Sequence, residues 1–477
     1  MEFELTNAPR RFFYELTQIP HGSCNEKAVS DWLVRFAEER GLDHVQDDMW
    51  NVVIYKPGTP GCENAAPLLL QAHMDMVCEA NKGTDHDFDR DPQKLEVNDG
   101  WLTAQGTTLG ADDGTGVAYM LSILDDPDLP HPPLECCFTV QEEIGLCGAL
   151  NLKPEYFRSK RMVCLDGGGE VSTCTTSSGG TRVDAVFTSA LVPNEDSCYC
   201  LFVGGLSGGH SGGEIHKEKG NSNVIAVRFL QEMRLAGIPV KVVSLSGGLK
   251  DNAIPRECDA VFASSADPEK IREVFEKTCS SVKTELEFSD AGFFATLEPA
   301  GKAAETFSTE DSGKLISYLY LAPNGFQHRS MAIEGLTVTS LNLGIMRTEG
   351  GVFTATHSLR SAMASGIGDL VNKLSTLAEL FGYSLSLRSA YPGWNYSPVS
   401  AMRDKLAEAL RRADGAELRC EATHGGNECG VFNSLGVEDI VTYGPVAQFI
   451  HTPDERLDIA SFDRSYKVLT ELVKECI

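Results

Sequence analysis

Nowhere in its 477 residues does the chain approach the roughly 18 consecutive apolar residues that a membrane-spanning helix needs. A helical membrane protein is excluded. Positive charge is also scarce: 41 lysines and arginines stand against 68 aspartates and glutamates, a formal net charge of −27. Nucleic acid and anionic membrane surfaces both require a basic face, so neither is expected as a partner. The opening Met1-Glu2-Phe3-Glu4-Leu5 carries acids where a signal peptide carries Lys or Arg, and it lacks an apolar run. The expected address is cytoplasmic. Cysteine is not scarce, at 15 residues, but the number is odd and the residues are scattered, mostly in apolar stretches such as Glu135-Cys136-Cys137-Phe138. Buried free thiols are expected rather than a disulfide framework. A composition of 42% hydrophobic and 23% charged residues is that of a globular chain long enough for two or three domains with real cores.

What the chain does contain is a series of acid and imidazole stations. His73-Met74-Asp75 closes the apolar run Pro67-Leu68-Leu69-Leu70-Gln71-Ala72, placing an imidazole and a carboxylate at the mouth of a buried strand. Residues two apart in a strand face the same way, so His73 can hold a cation while Asp75 steadies it. Gly110-Ala111-Asp112-Asp113-Gly114, Gln141-Glu142-Glu143-Ile144-Gly145, Cys164-Leu165-Asp166-Gly167-Gly168 and His451-Thr452-Pro453-Asp454-Glu455 follow in order. The acidic stations come after apolar or small residues and before Gly, the pattern of a ligand on a tight loop at a strand end. Two His and several carboxylates suit Zn²⁺ or Mn²⁺ in a hydrolytic site better than a structural thiolate site. A bridging carboxylate would let two ions sit roughly 3.5–4 Å apart and share a water of lowered pKa. If Glu142 and Glu143 end an extended strand, they point to opposite sides, one to ligate and one to act as general base.

The ordered set His73-x-Asp75, Ala111-Asp112-Asp113, Glu142-Glu143, Asp166 and His451-x-x-x-Glu455 closely resembles the co-catalytic zinc peptidases that include carnosinases and peptidase T. Within them the chain is most similar to the aminoacyl-histidine dipeptidases, also called Xaa-His or beta-Ala-His dipeptidases. That narrower likeness rests on Ile19-Pro20-His21-Gly22-Ser23, Thr107-Thr108-Leu109-Gly110-Ala111-Asp112, Gly208-Gly209-His210-Ser211-Gly212-Gly213-Glu214-Ile215-His216, Asn252-Ala253-Ile254-Pro255-Arg256 and Glu428-Cys429-Gly430. The resemblance implies His73, Glu143, Asp166 and His451 as terminal metal ligands and Asp112 as the bridge. It further implies Asp75 as orienter and Glu142 as general base, then acid. Asp113 reads instead as an acid favouring the start of the next helix. His210, in a loop rich in Gly, is implied as the stabiliser of the tetrahedral oxyanion. Asn252, Arg360 and Glu428 are implied on the substrate side, the first two holding its scissile carbonyl or terminal carboxylate. The cofactor expected is a pair of divalent ions, Zn²⁺ foremost, with Mn²⁺ or Co²⁺ as alternatives.

The fold class expected is α/β: a zinc-peptidase catalytic domain with a mixed sheet flanked by helices, plus an inserted α+β lid. Helix and apolar strand alternate to about residue 182 and again from about 395, so 1–182 and 395–477 form one discontinuous domain around an insertion at 183–394. One site needing ligands from both ends of the chain requires this. Strands are expected near 68–72, 134–140, 162–166 and 438–443, and helices near 115–125, 401–412 and 461–475. Ser23-Cys24-Asn25-Glu26 reads as a capping box opening a helix that Gly41 ends. The insertion shows helices at 223–234, 268–277 and 369–381 and is long enough to hold two related halves.

The leading expectation is metal-dependent hydrolysis of dipeptides, Xaa-His among them, by a homodimer, with a monomer as the alternative. A tripeptidase, a carboxypeptidase or an N-acyl-amino-acid deacylase would use the same chemistry. A metal- or peptide-binding protein without turnover is the reading from a different class, and the presence of Glu142 beside a ligand argues against it.

Overall fold

The computed structural model describes residues 3–477; Met1 and Glu2, where the signal-peptide reading begins, lie outside the described residues. The chain divides into two compact units, one made of residues 1–177, 394–422 and 427–477, the other of 178–393 with 423–426. Both ends of the chain therefore lie in the first unit. The short return of Thr423–Gly426 to the second was not expected.

The first unit is built on a six-stranded sheet in the order Asp43–Gln46, Val52–Lys56, Leu134–Thr139, Leu68–His73, Arg161–Cys164, Asp439–Thr442. The last four strands are mutually parallel and the first two antiparallel. Every residue of Leu68–His73 and of Leu134–Thr139 is buried, as expected of parallel strands covered on both faces. Helices Ala8–Thr17, Lys27–Glu39, Ala111–Asp125, Ala401–Asp414 and Ile459–Glu475 belong to the same unit. Tyr119 of the third stacks on Phe462 of the last at 4.9 Å and donates to its carbonyl. Because the four parallel strands run the same way, their C-terminal ends open onto one edge, where such sheets bind ligands.

A second, four-stranded sheet brings in the remaining stations. Its order is Ala447–Gln448, Arg456–Asp458, Trp101–Ala104, Leu95–Asn98. The first two strands bracket the loop that carries His451, and Trp101–Ala104 leads into the loop that carries Asp112. Pairing of Arg456–Asp458 with Trp101–Ala104 thus holds those loops side by side.

The second unit contains a nine-stranded antiparallel sheet. Its order is Phe294–Pro299, Ser197–Gly204, Cys258–Ser264, Lys241–Gly247, Thr337–Glu349, Val352–Ser361, Gly179–Thr188, Ser384–Tyr391, and Gly325–Arg329 adds to Thr337–Glu349. Gly179–Thr188 alternates buried and half-buried residues, so one face packs on a core. That core includes residues of helices Ser222–Leu235, Pro268–Glu285, Thr309–Leu321 and Ala364–Phe381. The sheet is continuous across the region read as two halves, joined at Gly247 opposite Met346.

One local reading is corrected. The helix Lys27–Glu39 has no side-chain cap. Ser23 donates to Asp75 at 2.7 Å, and Glu26 accepts the Gln141 amide at 3.0 Å. The two residues of the supposed capping box are drawn to the loops at the sheet edge, where buried partners offer more than a solvated helix end.

Candidate active site

Within the first unit, the ligating atoms of His73, Asp112 and Glu143 lie within 4.8 Å of one another. His451 joins them, its Nε2 standing 2.9 Å from Glu143 Oε1 and 3.2 Å from Asp112 Oδ2. The other Asp112 oxygen, Oδ1, is 3.1 Å from His73 Nε2. Asp112 therefore presents each carboxylate oxygen to a different imidazole. It sits where the chain enters the helix Ala111–Asp125, but both it and Asp113 keep non-helical backbone angles, which frees the Asp112 side chain from the helix face. Asp113 Oδ1 accepts the Gly116 amide at 3.2 Å, the helix-start role expected of it.

Asp75 ties two stations together. His73 Nδ1 faces the Asp75 carbonyl at 3.0 Å and its Oδ1 at 3.5 Å, and the same carboxylate accepts the backbone amide of Glu142 at 3.0 Å. The expected strand-end divergence of Glu142 and Glu143 is corrected in its cause. The backbone turns at Gln141, at φ +54°, and the Glu142 carbonyl accepts from Gly145 and Leu146. A turn, not strand alternation, presents the two acids. His451 is also left-handed, at φ +64°, and its side chain is 47% exposed. Such backbone recurs in functional loops.

Electrostatics separate the acids by role. Burial raises the Asp112 carboxyl, yet hydrogen bonds from His451 and His73 outweigh it and hold the group below the ordinary carboxylate range. Those partners act in return: Asp112 and Glu143 push His451 up to about 10. Asp166, outside the tight cluster, rises to about 7 through burial and then the Asp112 charge. Glu142 is held well above its ordinary value, first by burial, with Asp166, Glu428 and Glu143 adding to it against His73. Glu143 Oε1 is buried, with the His451 imidazole 2.9 Å away. A buried Glu143 oxygen beside His451, two imidazoles on the two oxygens of Asp112, and the further crowded acid Asp166 suit divalent cations with O and N ligands. The residues present fit the expected metal pair.

Glu428, expected on the substrate side, is corrected: it is 1% exposed. Gln71 and Thr139, from the two central buried strands, both donate to its Oε2. Burial pushes its carboxyl up to about 8. It packs behind the strand ends instead of lining a cleft.

The remaining expected residues belong to the second unit. Gly209-His210 pairs antiparallel with Ala253-Ile254, and the Ser211 amide donates to the Asn252 carbonyl at 2.8 Å, so His210 and Asn252 are carried on adjoining backbone. The Gly213 amide donates to His210 Nδ1 at 3.1 Å. With Nδ1 accepting, the proton of the neutral ring lies on Nε2. Burial, then the Arg360 and Arg182 charges, lowers the His210 pKa and keeps the ring neutral. Arg360, at 5% exposure, donates to the Tyr391 hydroxyl at 3.2 Å, and its Nε is buried without a partner. Among the described residues it forms no ion pair, unlike Arg182, whose Nε lies 3.1 Å from Asp251.

The profile of Peptidase family M20/M25/M40 matches residues 69–475, the span from the first metal station to the last helix. The chain belongs to this peptidase family. A cytosol non-specific dipeptidase of Escherichia coli is 34% identical over 471 residues, covering 97% of this chain and 96% of that one. The crystal structure of an aminoacylhistidine dipeptidase from Vibrio alginolyticus matches with a TM-score of 0.92 at 33% identity, over 99% of this chain and 98% of that one. Aminopeptidase PepT from Bacillus cereus shares the fold, with a TM-score of 0.58 at 17% identity over 98% of each chain. The family and the mixed α/β fold read from the sequence both stand.

Sequence reasoning named Ser23, Glu26 and Glu455 but missed what they hold: it gave the first two to a helix cap and the third no role. Glu455 is buried, and its carboxylate accepts the backbone amides of Leu109, Gly110, Ala111 and Asp112 at 2.7–3.4 Å. One signal was present for Glu428: Gln71 and Thr139 are polar residues inside all-buried strands, and such residues demand a buried polar partner. No helix is long and apolar enough to cross a membrane among the described residues.

Proposed function

We propose that this protein is a metal-dependent dipeptidase, with Xaa-His dipeptides among its substrates, and that it works as a homodimer. The observation that carries this reading is Asp112, each of whose carboxylate oxygens faces a different imidazole while Glu142 is kept avid for a proton nearby. His73, Glu143, Asp166 and His451 are the terminal ligands in this reading and Asp112 the bridge. Two divalent ions held there, Zn²⁺ foremost with Mn²⁺ or Co²⁺ as alternatives, would polarise the scissile carbonyl and lower the pKa of a water so that hydroxide is available near neutral pH.

Glu142 takes the proton from the attacking water, and its raised affinity lets it keep that proton until the amine leaves. It then delivers the proton to the amine nitrogen. His210, neutral with its proton on Nε2, donates a hydrogen bond to the oxyanion. A neutral donor suits this step, since it holds the oxygen without transferring a proton to it. Asn252 and Arg360 hold the substrate's carbonyl or terminal carboxylate; a buried guanidinium without an acidic partner is well shaped to clamp a carboxylate.

The test is hydrolysis of beta-Ala-His, Gly-His, Gly-Leu, a tripeptide and an N-acetyl amino acid by protein first chelated and then reloaded with Zn²⁺ or Mn²⁺. Metal-dependent cleavage of the dipeptides alone is the expected result. Equal rates on Gly-His and Gly-Leu would remove any requirement for a C-terminal histidine. Cleavage confined to the longer or acylated substrates would overturn the specificity and keep the chemistry, and no cleavage at all would overturn both.

A further inference from the structure

The proposed mechanism gives Glu455 no role, yet its carboxylate is the meeting point of two metal-bearing loops. Oε2 accepts from Leu109 and Gly110 at 2.7 and 3.1 Å, and Oε1 from Ala111 and Asp112 at 2.9 and 3.4 Å. Gly110 is left-handed, at φ +76°, and Asp112 is extended, so these successive amides converge on one point instead of running along a helix axis. Four converging N–H groups make an anion nest, and a buried carboxylate is what fills it. Glu455 is 2% exposed, so water has little access to replace it.

The placement of its own backbone matters equally. The Glu455 amide donates to the Thr452 carbonyl at 3.0 Å, closing the turn that follows His451. Immediately afterwards Arg456–Asp458 pairs with Trp101–Ala104, the strand that leads to the Asp112 loop. The two loops are thus joined once by a ladder and again by this carboxylate. At the far side of that double joint His451 Nε2 stands 3.2 Å from Asp112 Oδ2.

We propose that Glu455 is a positioning residue that holds the Asp112 loop in register with His451 and thereby sets how tightly the centre keeps its divalent cations. The proposal rests on the reading of His73, Asp112, Glu143 and His451 as metal ligands. Ligand geometry held by neighbouring hydrogen bonds is worth roughly 10–100-fold in metal affinity. Glu455→Gln keeps the size of the side chain but turns one oxygen into an NH2 group, which faces amides that need an acceptor.

The experiment is a Zn²⁺ titration of metal-free full-length protein against a chromogenic chelator at 25 °C, for wild type, Glu455→Gln and Glu455→Asp, with thermal melting of each metal-free protein alongside. Glu455→Gln is expected to bind zinc roughly 10–100-fold more weakly than wild type. Glu455→Asp keeps the charge with shorter reach and is expected to fall between them; it also serves if the Gln variant does not fold. A lowered melting temperature with wild-type zinc affinity in both variants would make Glu455 a general anchor and overturn the proposal. Wild-type protein that binds no zinc would overturn the metal reading beneath it, which separates the two failures.

Discussion

Buried charge in the first unit is negative and crowded: Asp112, Glu142, Glu143, Asp166 and Glu428 gather behind and around the parallel strand ends. In the second, the buried acid Asp290 accepts the backbone amides of Ser207 and Gly220, while Arg360 is nearly buried with no acid paired to it, near the neutral imidazoles of His210 and His424. One cause works in both places. Removal from water disfavours whichever form is charged, so it pushes Asp166 to about 7 and Glu428 to about 8, and pulls His424 to about 3. In the proposed reading the crowded acids take cations and one proton, and the lone buried guanidinium takes an anion. The same desolvation prepares two opposite surfaces because the residue types differ.

Replacing Glu142 is the strongest way to break this comparison, since it is the acid assigned to a proton instead of a metal. Glu142→Gln is expected to lower kcat by about 10³-fold, within the usual range for a general base, while both metals stay bound. Turnover with beta-Ala-His and metal content by elemental analysis check it together. Wild-type turnover would remove the general-base assignment, and loss of metal along with activity would place Glu142 among the ligands instead.

A smaller effect is expected from the second unit. His210→Ala removes a neutral donor, and losing one oxyanion donor costs about 10²-fold in kcat. Metal content should be unchanged and KM nearly so, because the hydrogen bond matters most in the transition state. A loss seen in KM alone would make His210 a substrate contact and dissolve the contrast between cation-holding acids and a neutral oxyanion donor.

The parts of this arrangement legible in the sequence are those written in one dimension. Leu68–His73 and Leu134–Thr139 are apolar runs that end in chemistry, so both the strands and the loops beyond them could be read. The ligands could be ordered along the chain for the same reason. The supporting residues could not, because their partners are remote: Ser23 meets Asp75, Glu26 meets residue 141, and Glu455 meets 109–112. A local pattern such as Ser23-x-x-Glu26 fits a helix cap as well as it fits two distant loops, and only the sheet order decides. Glu428 failed similarly. The resemblance put it on the substrate side, and Gln71 and Thr139 hold it behind the strand ends.

The smallest expected effect concerns acid stability and asks whether the second unit depends on imidazoles kept neutral. His357 lies fully buried, its Nε2 3.4 Å from the Tyr318 hydroxyl, and burial pulls its pKa down from 6.5 to about 4. His424, with Nε2 2.7 Å from Ser340 Oγ, falls to about 3. A folded value below the unfolded one means that the unfolded chain binds the proton more readily. The contribution of each histidine is therefore fully present above pH 6.5 and is lost as the pH drops toward 4 for His357 and toward 3 for His424, by at most about 1.4 kcal/mol per pH unit. His357→Phe removes one of these titrations, at the cost of a weak contact to Tyr318. Urea midpoints of metal-free wild type and variant, taken at pH 7.5 and pH 5, measure the difference, with chelator present so that metal release is common to both. The variant is expected to be less stable than wild type at pH 7.5 and to lose less between the two pH values. Equal losses would mean that His357 is reached by water or protons in the folded protein, and that the second unit is not prepared by desolvation in the way the first one is.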